Sequence, residues 1–232
     1  MSDNTPSNIV EGRFIKHLED LHKRTANDDD VVIVITGGER KGKSGLAYVA
    51  ASFLDPELSP EAQFHWSVQS YMASATSLRK RKPIVHDELV RGGSSYKFMT
   101  PENMAFADFL TVCGYRNLFH ILIMPSKRWI SPIIKEHRAW YNWHVVRRFR
   151  DHAVAKCYQL RDDDVVFDKP RLLFTFTYPR PEGPKWKRIL ELKDEFAQNI
   201  GRGTADVAEL FKAERARMAR QLRVLFGRSR AT

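Results

Sequence analysis

Gly37-Gly38-Glu39-Arg40-Lys41-Gly42-Lys43-Ser44 is the stretch of sequence that decides the fold, because it fits the pattern G-x-x-x-x-G-K-[ST] between a strand and a helix. The apolar run at 31–35 predicts a buried strand, and residues 45–51 predict the start of a helix. A strand that ends in a glycine turn and opens a helix aims several backbone N–H groups at one point, where the helix dipole adds positive potential. The sequence therefore predicts a phosphate-binding loop here.

Two side chains of this loop have predicted roles. Lys43 is long enough to reach the β- and γ-phosphates of a nucleotide, and the hydroxyl of Ser44 is a ligand suited to Mg²⁺. The residues expected to contact the nucleotide are those of the loop and the one after it: Gly37, Gly38, Glu39, Arg40, Lys41, Gly42, Lys43, Ser44 and Gly45.

A pair of carboxylates, Asp87 and Glu88, ends a second apolar strand that starts at Pro83. An acid at the end of a buried strand, downstream of a phosphate loop, is suited to anchor the Mg²⁺ ion, and we assign that role to Asp87. The next carboxylate can polarise the attacking water as general base, which we assign to Glu88.

Strands alternate with helices over the first two thirds of the chain. Residues 119–124 predict a third buried strand, and nearly continuous apolar strands favour a parallel sheet covered on both faces. If this strand lies between those at 31–35 and 83–88, the sheet has RecA-like order. The predicted fold is α/β, with an antiparallel extension formed by residues 140–149, 153–160 and 172–178. The prediction is completed by a short strand at 64–67 and by helices at 13–26, 68–77, 101–114, 185–199 and 204–226. We expect a helical segment at 1–29, a core at 30–180 and a basic helical appendage at 181–232.

Composition narrows the class of protein. The chain has 232 residues, 43% of them hydrophobic, which suffices for a packed core, and a formal net charge of +10. That charge favours a polyanionic partner, nucleic acid or an anionic membrane surface. No apolar run approaches the roughly 20 residues that span a bilayer, so no integral membrane segment is expected. Cys113 and Cys157 fit no metal spacing and suit a reducing cytoplasm.

Further candidate residues follow the third strand or precede it. Ser126, after Pro125, occupies the position where RecA-like ATPases place a polar contact to the γ-phosphate, although a loop serine without a role explains it equally well. Arg116 is our first choice for an arginine that a neighbouring subunit supplies to the transition state, with Arg138 and Arg91 as alternatives.

Two basic segments remain. Residues 79–82 read as a solvated basic run on the side away from the nucleotide. The predicted helix at 204–226 is amphipathic with a basic face, which would suit DNA phosphates, a subunit, a membrane surface or simple packing.

The order of these motifs resembles that of the small phage, viral and plasmid ATPases related to the FtsK/HerA superfamily, with the zonula occludens toxin-like proteins as neighbours. The resemblance covers residues 30–150 and includes Asn103, the segment 115–126 and the run 135–138. It departs from the superfamily at Ser126, where those motors carry glutamine.

The resemblance implies a RecA-like (ASCE) P-loop NTPase, a ring of six or five subunits that hydrolyses ATP with Mg²⁺ and moves or packages double-stranded DNA, with phage, viral or plasmid protein partners. It implies phosphate and Mg²⁺ binding by Lys43 and Ser44, metal binding by Asp87, base catalysis by Glu88 and a trans-acting Arg116. The expected location is the cytoplasm of a prokaryotic or archaeal host, or a virus particle. Alternatives are a membrane-associated phage-morphogenesis ATPase, an ATP-switched DNA-loading scaffold and a small-molecule kinase.

Overall fold

The computed structural model describes residues 12–27, 29–87, 101–126, 134, 138–162 and 165–202. The described residues form one sheet of seven strands in the order β2-β3-β4-β1-β5-β6-β7. The pairs β2–β3, β3–β4, β4–β1 and β1–β5 are parallel. The pairs β5–β6 and β6–β7 are antiparallel. The bounds are β1 Val31–Gly37, β2 Phe64–His65, β3 Pro83–His86, β4 Phe119–Ile123, β5 Ala139–Arg148, β6 His152–Asp162 and β7 Val165–Pro179.

This strand order confirms the predicted mixed α/β class, the mostly parallel sheet and its antiparallel extension. Strand β4 lies between β1 and β3, so the sheet is compatible with a RecA-like fold. β1 is buried along its whole length, as a strand with covered faces and parallel neighbours should be.

Helices connect and cover these strands. Their bounds are α1 Gly12–Ala26, α2 Lys43–Leu54, α3 Pro60–Gln63, α4 Val68–Ser77, α5 Pro101–Val112 and α6 Pro184–Arg202, with a 3₁₀ helix at Cys113–Arg116 after α5. The sequence placed the end of α6 at residue 199, which is wrong, because the helix continues through Gly201 and Arg202. The predicted helix at 204–226 lies outside the described residues. No helix within the described ranges has the length and apolar character that crossing a bilayer requires.

Two apolar layers hold the sheet. On α1, Phe14 stacks on Phe176 of β7 with ring centroids 4.1 Å apart and meets Trp143 of β5 edge-on at 5.2 Å. A second cluster, centred on Tyr71 and Phe106, packs helices α4 and α5 against the parallel strands. Helix α1 therefore covers the antiparallel extension, and α4 and α5 cover the strands that carry the candidate site.

The chain divides into two compact units between Ile189 and Leu190. The sheet and the helices up to the first turns of α6 belong to the first unit. Of the described residues, the second unit contains only the rest of α6, up to residue 202. The domain boundaries predicted after residues 29 and 180 stay predictions.

Candidate functional site

Glycine geometry shapes the loop between β1 and α2. Gly42 has φ 101°, a left-handed conformation that other residues rarely adopt, and α2 begins at the next residue. Gly37 has φ 145°, and a Cβ there would lie 2.7 Å from the carbonyl oxygen of Val145 on β5. Both positions therefore require glycine, and the resulting turn opens directly into the N-terminus of a 12-residue helix.

Lys43 folds back over this loop. Its Nζ donates hydrogen bonds to the carbonyl oxygens of Gly37, at 2.9 Å, and Gly38, at 3.0 Å. The ammonium group is thus held against the backbone carbonyls at the start of the loop. Lys43 therefore places its positive charge, on a long side chain, near the positive end of the dipole of α2, where an anionic ligand would bind.

Ser44 and Asp87 come together although they are far apart in sequence. The Ser44 hydroxyl donates to Oδ2 of Asp87 over 2.8 Å, and Asp87 is only 2% exposed. The backbone N–H of Asp87 donates to the carbonyl of His65 at 2.8 Å, which holds the chain as it leaves β3. The predicted partners thus meet at the carboxyl edge of the parallel strands.

This oxygen pair fits a magnesium ion. Mg²⁺ requires octahedral oxygen ligands at about 2.1 Å, so two adjacent ligands lie about 3 Å apart, close to the observed contact. The ion keeps several waters and binds through one or two protein oxygens together with phosphates. Within the described ranges no group of three His, Cys, Asp or Glu side chains gathers, so Ser44 and Asp87 would supply only part of the coordination shell.

His86 precedes Asp87 and is packed rather than presented to the loop. Its ring lies 5.5 Å from that of Tyr71 and 5.8 Å from that of Phe106. Burial lowers the pKa of His86 to about 3, against the smaller opposing effect of Asp87. The imidazole is therefore neutral at ordinary pH.

The antiparallel extension braces the loop through contacts that the sequence did not reveal. The hydroxyl of Tyr178 on β7 donates to the carbonyl of Gly42 at 3.0 Å. Lys41 Nζ donates to the carbonyl of Val146 at 2.8 Å, and Arg148 donates to the carbonyl of Arg40 at 3.2 Å. Only strand alternation marks these residues in the sequence, and alternation says nothing about which loop they contact.

A buried polar contact joins β1 to β5 just below the loop. Thr36 Oγ1 lies 2.9 Å from Oδ1 of Asn142 and 3.0 Å from Nδ1 of His144. Pro181, after β7, approaches Gly45 so closely that a Cβ on that glycine would lie 3.1 Å from its ring. The loop and the first turn of α2 are thus held from the side of the extension as well as from β1.

Two of the three candidate arginines lie at the other edge of the sheet. Arg116 ends the 3₁₀ helix before β4 and donates to the carbonyl of Leu78. Arg138 directly precedes β5 and donates to Asp30, whose pKa is raised by burial despite the opposing guanidinium. Neither is near its own chain's loop, so supply of Arg116 to a neighbouring subunit stays a prediction.

The remaining candidates are placed only in part. Ser126 is half-buried and follows β4, the strand between β1 and β3. Glu88 and Arg91 lie outside the described residues, as does the run at 135–137. The base role of Glu88 therefore stays a prediction.

Comparison with known proteins adds a distant structural relation. The chain matches no protein-family model and no curated protein. Among solved structures, the N-terminal domain of zonular occludens toxin from Neisseria meningitidis matches with a TM-score of 0.39 and 10% identity, over 66% of this chain and 96% of that one. Similarity this low carries no inference about fold or function.

Proposed function

We propose that this protein binds ATP with Mg²⁺ and hydrolyses it. The observation that carries the proposal is the 2.8 Å contact between Ser44 and Asp87 beside a glycine loop whose lysine points back over its own carbonyls. A hydroxyl and a carboxylate from separate elements meet where a phosphate-bound magnesium ion needs oxygen ligands. A simple serine–aspartate hydrogen bond would not need the neighbouring left-handed glycine or the lysine.

In this proposal each residue has one task. Lys43 exchanges its carbonyl partners for the β- and γ-phosphate oxygens, and the N–H groups at the start of α2 hold the phosphates. Ser44 and Asp87 hold Mg²⁺, which when bound neutralises charge on the phosphates. Glu88, next to Asp87, accepts the proton of the attacking water.

The proposal extends to a ring-shaped oligomer that uses hydrolysis to move or package double-stranded DNA. The net charge of +10 supports a polyanionic partner. Arg116 then acts in the site of the neighbouring subunit, where it stabilises charge in the transition state.

The test is steady-state ATP hydrolysis with and without double-stranded DNA, for the wild-type chain, Lys43→Ala and Glu88→Gln. Lys16→Ala, at an exposed position on α1, removes the same charge as Lys43→Ala and serves as the matched control. We expect turnover in the wild type and the Lys16 variant, loss of it in the other two, and stimulation by DNA. Tight ATP binding without any turnover would refute hydrolysis and favour an ATP-switched scaffold instead.

A further inference from the structure

Exposed cations concentrate at the sheet edge that carries the loop. β5 runs parallel to β1, so the β5–β6 turn at 149–151 lies at the same edge as residues 37–44. We name the basic edge by its exposed members, which come from the loop, from the end of β5 with the following turn, and from the residue after β7: Arg40, Lys41, Arg147, Arg148, Arg150 and Arg180.

Hydrogen bonds show that these members form one surface. Arg148 donates to the carbonyl of Arg40 at 3.2 Å, which joins the end of β5 to the loop. The backbone N–H of Arg180 donates to the carbonyl of Asp151 at 2.8 Å, which joins the end of β7 to the β5–β6 turn. Three segments distant in sequence thus deliver their cations to one place.

This surface carries an excess of positive charge. The acids on the same segments are Glu39, Asp151 and Glu182, and Asp151 is already paired with His152 at 2.8 Å. Within the described residues, no cation of the basic edge forms an ion pair with a carboxylate. Like charges held close together repel, so a cluster of this kind is suited to a ligand that brings several negative charges.

The turn itself is ordered by ring contacts. The Phe149 ring lies 4.6 Å from the His152 ring, nearly parallel to it, and the Arg147 guanidinium is 4.8 Å from its centroid. The aromatic side chain is therefore engaged within the turn and orients Arg147. Phe149 stays 39% exposed and Val146 36% exposed, against the six exposed cations of the basic edge. A membrane-binding surface pairs its cations with a broad apolar face for insertion, so this predominance of charge favours a polyphosphate ligand over lipid.

We propose that the basic edge binds the phosphodiester backbone of duplex DNA without reading its sequence. This names the DNA-contacting surface for the proposed function, and the coupling of DNA to hydrolysis rests on that function. Contacts with backbone phosphates are electrostatic and independent of sequence. Arg148 of the extension donates to the loop, and Lys41 of the loop donates to the extension. These two hydrogen bonds join the basic edge to the proposed nucleotide site.

The experiment measures binding of the full chain to a fluorescent 30-base-pair duplex over a range of salt concentrations. The test variant is Arg147→Gln/Arg150→Gln, and the control is Arg79→Gln/Lys80→Gln, which removes the same charge at exposed positions before β3, at the opposite edge. Removing two phosphate contacts should weaken binding on the order of tenfold and lower the slope of log K against log salt by about 2. The control should keep the wild-type slope.

Two further measurements make the result decisive. Arg147→Lys/Arg150→Lys keeps the charge, so it should keep the slope, and thermal unfolding checks that each variant is folded. Equal losses in test and control variants, no loss in the test variant, or a loss seen only with anionic phosphatidylserine vesicles would each overturn the proposal. ATP binding is measured in parallel, so failure of the nucleotide site is distinguished from failure of the DNA surface.

Discussion

Tyr178→Phe removes one hydroxyl and tests whether the antiparallel extension holds the loop ready for nucleotide. The Tyr178 hydroxyl donates to the carbonyl of Gly42 at 3.0 Å, and the same carbonyl accepts the N–H of Leu46 in the first turn of α2. Gly42 is left-handed, so its backbone has other conformations of similar energy once the tether is lost. The substitution leaves the Phe-sized ring and its packing in place.

The magnitude follows from one hydrogen bond. A neutral hydrogen bond contributes about 1 kcal/mol net, and 1.4 kcal/mol is a tenfold change in an equilibrium constant. If the bond selects the nucleotide-ready loop, its loss lowers the population of that loop by up to about fivefold. The apparent Kd for ATP rises by the same factor. The turnover rate at saturating ATP should change little, because bound nucleotide restores the loop.

The assay is titration of the full chain with a fluorescent ATP analogue, together with urea unfolding and measurement of kcat and KM. Tyr158→Phe on β6 is the matched control, because Tyr158 is half-buried and its hydroxyl forms no hydrogen bond within the described residues. An unchanged Kd for ATP in Tyr178→Phe, with a free energy of unfolding lowered by about 1 kcal/mol, would show that the loop adopts its nucleotide-binding conformation without the hydrogen bond from Tyr178. That result would refute the reasoning.

Two further predictions address the metal ligands and acid stability. Ser44→Ala removes one oxygen ligand, and Asp87→Asn keeps an oxygen but removes its negative charge. Each should raise the Mg²⁺ concentration needed for half-maximal ATP binding by roughly tenfold, which corresponds to about 1.4 kcal/mol. Equal Mg²⁺ dependence in wild type and variants would contradict the assignment. Burial lowers the pKa of His17 to about 4 and that of His120 to about 3 from an ordinary 6.5. The unfolded chain takes up these protons near pH 6.5 and the folded protein does not, so the free energy of unfolding should fall as pH drops from 6.5 to 5. The fall is roughly 1.5 kcal/mol for each histidine over that interval. Urea titrations at pH 7 and pH 5 measure this, and an unchanged midpoint would contradict it.

The parts of the fold that the sequence predicted are those governed by local physics. A continuous apolar run from Val31 predicts a buried strand because only such a strand can place every side chain in the core. Phe14, Leu18 and Leu21 predict the inner face of α1 because they share one helical stripe, and all are buried. The strand predicted at 119–124 is observed as β4, and it lies between the two motif strands, an arrangement that the sequence left open.

β7 shows where local rules fall short. The sequence predicted a strand at 172–178, but β7 begins at Val165 and includes Pro170. Pro170 lacks an N–H and would disrupt a central strand, but β7 is the edge of the sheet, and residues 167–170 are looped out of its register with β6. Strand position in the sheet decides whether proline is tolerated, and that position is set by the whole fold.

The contacts around the loop could not be read from the sequence for a related reason. Tyr178 and Gly42 are 136 residues apart, and their hydrogen bond depends on the register of three successive strand pairs. Arg116 was selected by its place in a motif order, whereas its position at the edge away from the loop follows from the direction of β4. Motif order identifies residue types, and strand direction decides which edge they reach.

The inserted strand β4 also explains why the hydroxyl and the carboxylate meet. Adjacent strands lie about 4.8 Å apart, so β1 and β3 are separated by roughly twice that distance. Helix α2 begins after the end of β1 and contacts both β4 and β3. Because the helix crosses over β4, Ser44 in its first turn reaches Asp87 after β3. The end of β4, where the chain continues to Ser126, therefore lies between the loop strand and the Asp87 strand. In this strand order a polar side chain after β4 lies between the predicted phosphate-binding loop and the predicted metal-binding carboxylate. That position is the physical reason to consider Ser126 a contact to the γ-phosphate.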